Sequence, residues 1–163
     1  MQEPVMLAQT LKGWDRYQEH LTAALAPLTP EQLAFQIAPH LRSIMTLTAH
    51  IIAARVWWFH LLMHEGPADL RPLVKWDDEG APARTAGELV QGLYRTWTVI
   101  HDGLARWTVA DLADEFCYRW PGGDTAYTFT RQWIIWHVLE HDLHHGGELS
   151  FALGASGLPG LAL

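Results

Sequence analysis

Every long apolar segment of this chain repeats at three or four residues, and no run alternates apolar and polar residues long enough to argue for a sheet. That periodicity restricts the fold to packed helices. A first helix is predicted from about Pro4 to Ala26, with Leu7, Leu11, Trp14, Leu21 and Leu25 along one stripe and Pro27 as its stop. Thr29, Pro30 and Gln32 form a capping box around a short helical turn. Ser43 caps a second helix reaching about His64, on which Ile44, Leu47, Ile51, Ala54 and Trp58 recur at helical spacing. Residues 65–84 combine Pro, Gly and a charge cluster and read as a long loop. Thr85 and Glu88 open a third helix that ends near Trp107, and Thr108 starts another short turn. A loop over Tyr118–Asp124 precedes the last long helix, capped by Thr128 or Thr130 and running through His145 to about Leu153. The segments Leu28–Leu33 and Trp107–Leu112 correspond in position and type. His50 follows Ser43, and His137 follows Thr130, by the same seven residues. The expectation is all-α: two helix–turn–helix halves making one four-helix bundle, a single domain over residues 1–163.

Composition narrows the function. Hydrophobic residues make up 49% of the chain, too much for disorder. Lys and Arg number 11 against 18 Asp and Glu, a net charge of −7 that repels phosphate backbones and argues against a nucleic-acid binder. The single Cys117 cannot form an internal disulfide, which fits a reducing cytoplasm. The most apolar stretch, Thr46–Met63, is interrupted by His50, Arg55 and His60, as suits a buried bundle helix rather than a membrane span. The N-terminus shows no basic region followed by an apolar run, so no signal peptide is expected. These features predict a soluble, cytoplasmic protein.

Ten His are unusual, and four of them lie between positions 137 and 145. At about 100° per residue, His137, His141 and His145 fall near 0°, 40° and 80° around the last helix, with His144 near −20° and Glu148 near 20°. A solvated face would carry Lys, Glu and Gln, and a core face Leu and Ile. Neither accounts for four imidazoles. His141 and His145, one turn apart, can converge on one ion, but they need a third ligand from a facing helix. His50, mid-helix between Leu47 and Ile51, fits that role best, the alternative being an ordinary hydrogen-bonded core histidine. His137 belongs beside the site as a supporting or pocket group. Glu148 can orient a ligand imidazole, approach the ion, or cap the helix end, and His144 shares its surroundings. His60 and His64 repeat the spacing at a helix end, where solvent or loop contacts explain them. His20, His40 and His101 read as ordinary residues. Trp57, Trp58, Trp120, Trp133 and Trp136 serve as core bulk or as walls of an aromatic pocket.

The segment Trp133-Ile-Ile-Trp-His-Val-Leu-Glu-His-Asp-Leu-His-His-Gly-Gly-Glu-Leu149 resembles the final-helix signature of the DinB/YfiT-like family of metal-dependent enzymes. His141 and His145 match that family's two ligands on the last helix, and His50 matches the one on the second. Gly146 and Glu148 stand where the family usually has Arg and Gln. The resemblance implies an up-down-down-up bundle and one divalent transition-metal ion, often zinc or nickel, on three His. It also implies a small-molecule substrate, in several relatives a low-molecular-weight thiol whose transfer to an electrophile needs no catalytic Cys.

A metal-bound stress-response or binding protein without turnover remains the rival reading. The series His141-Asp142-Leu-His-His145 has metallopeptidase spacing, but Asp142 falls off the ligand face, so a hydrolase is the weaker alternative. The apolar tail Leu158–Leu163 and the resemblance together predict a homodimer; otherwise the tail folds back over its own bundle.

Overall fold

A computed structural model describes residues 5–162, with side chains from residue 8 onward. Pro4, Leu163 and the side chain of Leu7 lie outside the described residues. The long helices are α1 (Val5–Leu25), α3 (Ile44–Arg55), α4 (Ala86–Arg106) and α5 (Arg131–Ala155), with a short α2 at Pro30–Leu33. Their starts follow the sequence chemistry. The Thr29–Gln32 and Thr85–Glu88 capping boxes are both complete, and Ser43 Oγ accepts from the Thr46 amide. Thr130, not Thr128, caps α5. No helix among the described residues is long and apolar enough to cross a membrane.

One expectation is refined and two are corrected. The second helix continues to Leu62, close to the expected end, but after Arg55 it widens into π-helix over Val56–Leu62. Such widened turns accommodate an extra residue and commonly mark functional sites. The chain then turns at His64, whose φ of 60° is left-handed. The stretch 65–84 is not only loop, because Ala68–Asp77 forms a 3-10 helix that packs on α3 and buries Leu70 and Leu73. Finally, the chain has a sheet. Strands β1 (Glu115–Arg119) and β2 (Ala126–Thr130) pair antiparallel, with Phe116 opposite Phe129 and Tyr118 opposite Tyr127. Each strand is five residues long, too short for alternation to stand out. Aromatic packing holds the hairpin in place: Tyr118 meets Trp57 at 4.8 Å between ring centroids, and Phe129 meets Trp58 at 5.3 Å.

Helix α1 packs on α4, and α3 packs on both α5 and α4. Two apolar clusters form the core, one around Leu21, Leu25, Ile51, Leu89 and Leu153, the other around Trp14, Phe59, Trp97, Ile100 and Val138. Along α1 and α5 the chain passes from the second cluster to the first; along α3 with its π-helical continuation, and along α4, it passes from the first to the second. The tail folds back, with Leu158 and Leu161 against the first cluster and the Leu161 amide donating to Ser150 Oγ at 2.9 Å. It therefore does not supply the exposed apolar surface expected of it. That surface lies instead on α5, where Trp136, Leu143 and Phe151 are exposed.

Candidate metal centre

Between the two clusters, α3 and α5 are tied by a buried ion pair. Arg55 and Asp142 are both fully buried. Arg55 reaches Asp142 through Nη2 at 2.7 Å and Nε at 3.0 Å, and its Nη1 donates to Gln18 Oε1 at 2.8 Å. Trp14 Nε1 donates to the same carboxylate at 2.8 Å. Two charges without water demand such complete pairing, since an unpaired one costs several kcal/mol. The pair fixes how α3 and α5 meet, and the histidines sit close by on the same helices: His50 five residues ahead of Arg55, His141 immediately before Asp142 and His145 three residues after it.

On the adjoining face, His50, His141 and His145 each offer a ring nitrogen, all three within 4.8 Å of one another. His50 Nε2 and His141 Nε2 face each other at 3.1 Å. The ring centroids lie 4.4–4.7 Å apart. Asp77 Oδ2, at the end of the 3-10 helix, sits 2.6 Å from His50 Nδ1. Glu148 Oε2, one turn along α5, sits 2.8 Å from His145 Nδ1. Each carboxylate holds a proton on Nδ1 and so leaves the Nε2 lone pair of its imidazole pointing inward. Burial, with the neighbouring imidazoles of His145 and His50 adding to it, pushes the His141 pKa down to about 3, so that ring is neutral at pH 7. Burial also lowers His145, against the opposing pull of Glu148. His141 Nδ1 is buried without a partner, and no carboxylate fixes that ring's tautomer.

These residues fit a divalent transition metal. The donors are imidazole nitrogens, the usual choice for such ions, and two of the three rings have a carboxylate behind them. The 3.1 Å separation of the facing nitrogens is close to the about 3.3 Å imposed by a tetrahedral ion with typical metal–nitrogen bonds. Three protein donors leave a coordination position for substrate.

His137 stands outside the triad, its ring 6.3 Å from that of His141. It stacks on Trp133 at 4.8 Å and meets Trp58 edge-on at 4.7 Å. Burial draws its pKa down. His144 is exposed, lies 3.6 Å from Glu148 and packs its ring 4.7 Å from that of His145, with which and Glu148 it forms a second, more exposed group of donors. His60 bonds the Glu65 carbonyl at 2.8 Å, and His101 lies beside Asp102 on the surface. A cavity of about 420 Å³ opens beside the triad, lined by His50, His141, His137, Trp57, Trp58 and Trp120 among others.

Asp77, Arg55 and Asp142 escape a reading of the sequence for ligands. Arg55 left a signal as a lone cation in an apolar helix, and Asp77 none beyond its place in the charged run Trp76-Asp-Asp-Glu79. Gly146 has a local cause. A Cβ there would collide with the Tyr17 hydroxyl, which donates to the Asp142 carbonyl at 3.3 Å. Burial, with the Asp142 charge adding to it, pushes the Tyr17 pKa up to about 12.

Residues 10–151 match the family model of mycothiol-S-transferase. No curated protein matches the chain significantly. Among solved structures, a DinB-like protein from Bacillus cereus superposes with a TM-score of 0.68 at 21% identity, over 94% of both chains. A conserved protein from Enterococcus faecalis gives 0.67 at 18% identity, over 95% of this chain and 98% of its own. At those identities the likeness is one of fold.

Proposed function

The chain belongs to the DinB-like mycothiol-S-transferase family, and on that premise we propose that it is a metal-dependent thiol S-transferase. It joins a low-molecular-weight thiol to a small electrophilic molecule. One divalent transition-metal ion, zinc or nickel, is held by His50, His141 and His145. The observation carrying this reading is the convergence of three ring nitrogens within 4.8 Å beside an open, mostly aromatic cavity.

When bound, the ion lowers the pKa of a thiol and supplies a thiolate nucleophile at neutral pH. The protein's residues do the rest. Asp77 and Glu148 keep protons on Nδ1 of His50 and His145 and hold those rings in place. Arg55 and Asp142 hold the two helices so that the rings meet. Trp57, Trp58 and Trp120 exclude water from one side of the site. No Cys is required, which suits a chain whose single Cys117 is exposed on β1.

The same proposal includes a single up-down-down-up four-helix domain, supported by the order in which the helices cross the two core clusters. It places the protein in the cytoplasm, where reduced thiols are kept, with no nucleic-acid or membrane partner. It also includes a homodimer through the exposed Trp136, Leu143 and Phe151 of α5. Light scattering is expected to give twice the chain mass; the mass of one chain would remove the dimer.

The test of function is thiol consumption by metal-loaded protein with a panel of low-molecular-weight thiols and electrophiles. Turnover is expected for wild type and not for His141→Ala. A metal-loaded protein inactive with every thiol would favour the binding protein without turnover.

A further inference from the structure

We infer that His144 and Glu148 form a second, weaker site for a divalent transition-metal ion on the exposed side of α5, and that an ion bound there loosens the one held by the triad. The loosening rests on the reading that His50, His141 and His145 hold an ion; the second site itself does not.

Among the described residues, two groups of three or more potential metal ligands converge, and they share His145. One is the triad. The other is His144, His145 and Glu148, whose donor atoms again lie within 4.8 Å of one another. His144 and Glu148 are four residues apart on α5, a spacing at which two side chains on one helix face can reach a common ion. Their side chains are 65% and 48% exposed, so water can complete the coordination shell. His144 Nε2 lies 3.6 Å from Glu148 Oε1. That is too long for a hydrogen bond and near the about 3.3 Å that a tetrahedral ion imposes on two donors. The other oxygen, Oε2, already faces His145 Nδ1 at 2.8 Å. One carboxylate therefore turns an oxygen to each imidazole. Ring packing also restrains His144, which meets His145 edge-on with centroids 4.7 Å apart and planes at 81°. Gly147 keeps the approach open, since a Cβ there would meet nothing within 4 Å. No Lys or Arg follows Arg131 in the sequence, so the rest of α5 brings no cation to compete for Glu148.

An imidazole with a carboxylate suits zinc, nickel or copper(II) better than magnesium or calcium, which prefer shells of oxygen. Two protein donors against the triad's three make this the weaker site. The sign of the coupling follows from charge. Two dications on neighbouring ligands repel each other, and both draw on Glu148. Its Oε1 would hold the second ion while its Oε2 accepts the proton that orients His145. Electron density given to the ion is withdrawn from that hydrogen bond, and a metal-ligating imidazole depends on such support. The effect is reciprocal, so an ion on the triad also weakens the second site. The outcome is a brake, in which metal in excess loosens the ion on which the chemistry depends.

The experiment uses full-length protein whose triad carries radiolabelled zinc. Equilibrium dialysis against rising unlabelled zinc is expected to show a second ion per chain, bound at least about 100-fold more weakly than the first. It should vanish in His144→Ala, an exposed change that spares the first ion. Release of the label should quicken about tenfold as the second site of wild type fills, and should not depend on zinc concentration in His144→Ala. The absence of a second ion overturns the site, and so does a second ion that survives His144→Ala, which is then adventitious. Release at one rate from filled and unfilled wild type overturns the brake. The triad fails separately: a single weak ion, lost in His144→Ala and kept in His141→Ala, would count against the triad as a metal centre while upholding the second site.

Discussion

Helix α5 carries two polar faces, and they obey opposite rules. On one, Asp142 is fully buried and meets Arg55, Trp14 and, through its backbone carbonyl, Tyr17. On the other, His141 and His145 turn ring nitrogens toward His50, and the closest approach is one nitrogen facing another. On the first face both oxygens of the Asp142 carboxylate accept hydrogen bonds from buried donors, so its contribution is to the fold. The second brings three imidazole nitrogens within 4.8 Å of one another, so its contribution begins when something occupies the point between them. Burial alone would have ranked Asp142 above the histidines. Unspent bonding capacity separates the site from the scaffold.

The largest expected effect lies on the saturated face. Asp142→Ala leaves the Arg55 cation buried without its partner and is predicted to cost about 3–5 kcal/mol in urea unfolding. Joint replacement by Arg55→Met and Asp142→Leu should recover most of that loss. By contrast, the metal-free His141→Ala/His145→Ala variant should unfold within about 1–2 kcal/mol of metal-free wild type, since both rings are only half-buried. A loss there as large as that of Asp142→Ala would erase the distinction between the faces.

The carboxylates behind the rings come next. Asp77→Asn and Glu148→Gln should each lower metal affinity by about 10–100-fold while leaving unfolding of the metal-free protein nearly unchanged. Competition with a chelator measures it. Unchanged affinity in both variants would mean that the two hydrogen bonds of 2.6 and 2.8 Å merely tie down surface chain.

A further effect is expected from pH. The folded pKa of His141 lies near 3, below its ordinary value of 6.5. The unfolded chain therefore binds a proton that the folded chain refuses, and metal-free stability falls as pH drops from about 6.5 toward 3. Above 6.5 the term vanishes. His141→Gln should flatten the fall, as read from urea midpoints at several pH values. An identical pH profile for the variant would show that this imidazole does not stay neutral in the fold.

Much of the contrast is legible in the sequence because helical geometry is periodic. The spacing of His137, His141 and His145 fixes a common face, and the same arithmetic places Asp142 off it. Capping at Thr29, Ser43 and Thr85 is a local exchange of backbone bonds and reads directly. Partners brought together by the tertiary fold do not read this way. Asp77 reaches His50 across 27 residues and Arg55 reaches Asp142 across 87, and no local pattern encodes either distance. The hairpin escapes for another reason. Its strands have five residues each, and what holds them is the aromatic surface of Trp57 and Trp58 on a different element. The apolar tail reads as exposed surface for want of its partners, the first core cluster and Ser150.

The central claim is that the face left unsatisfied on α5 exists to hold one metal ion with His50. Elemental analysis of wild type and of His141→Ala/His145→Ala, purified side by side and each saturated with zinc or nickel before removal of excess, tests it most directly. The account predicts one tightly held divalent ion per wild-type chain and none in the double variant. Full occupancy of the double variant, or an empty wild type, would contradict it.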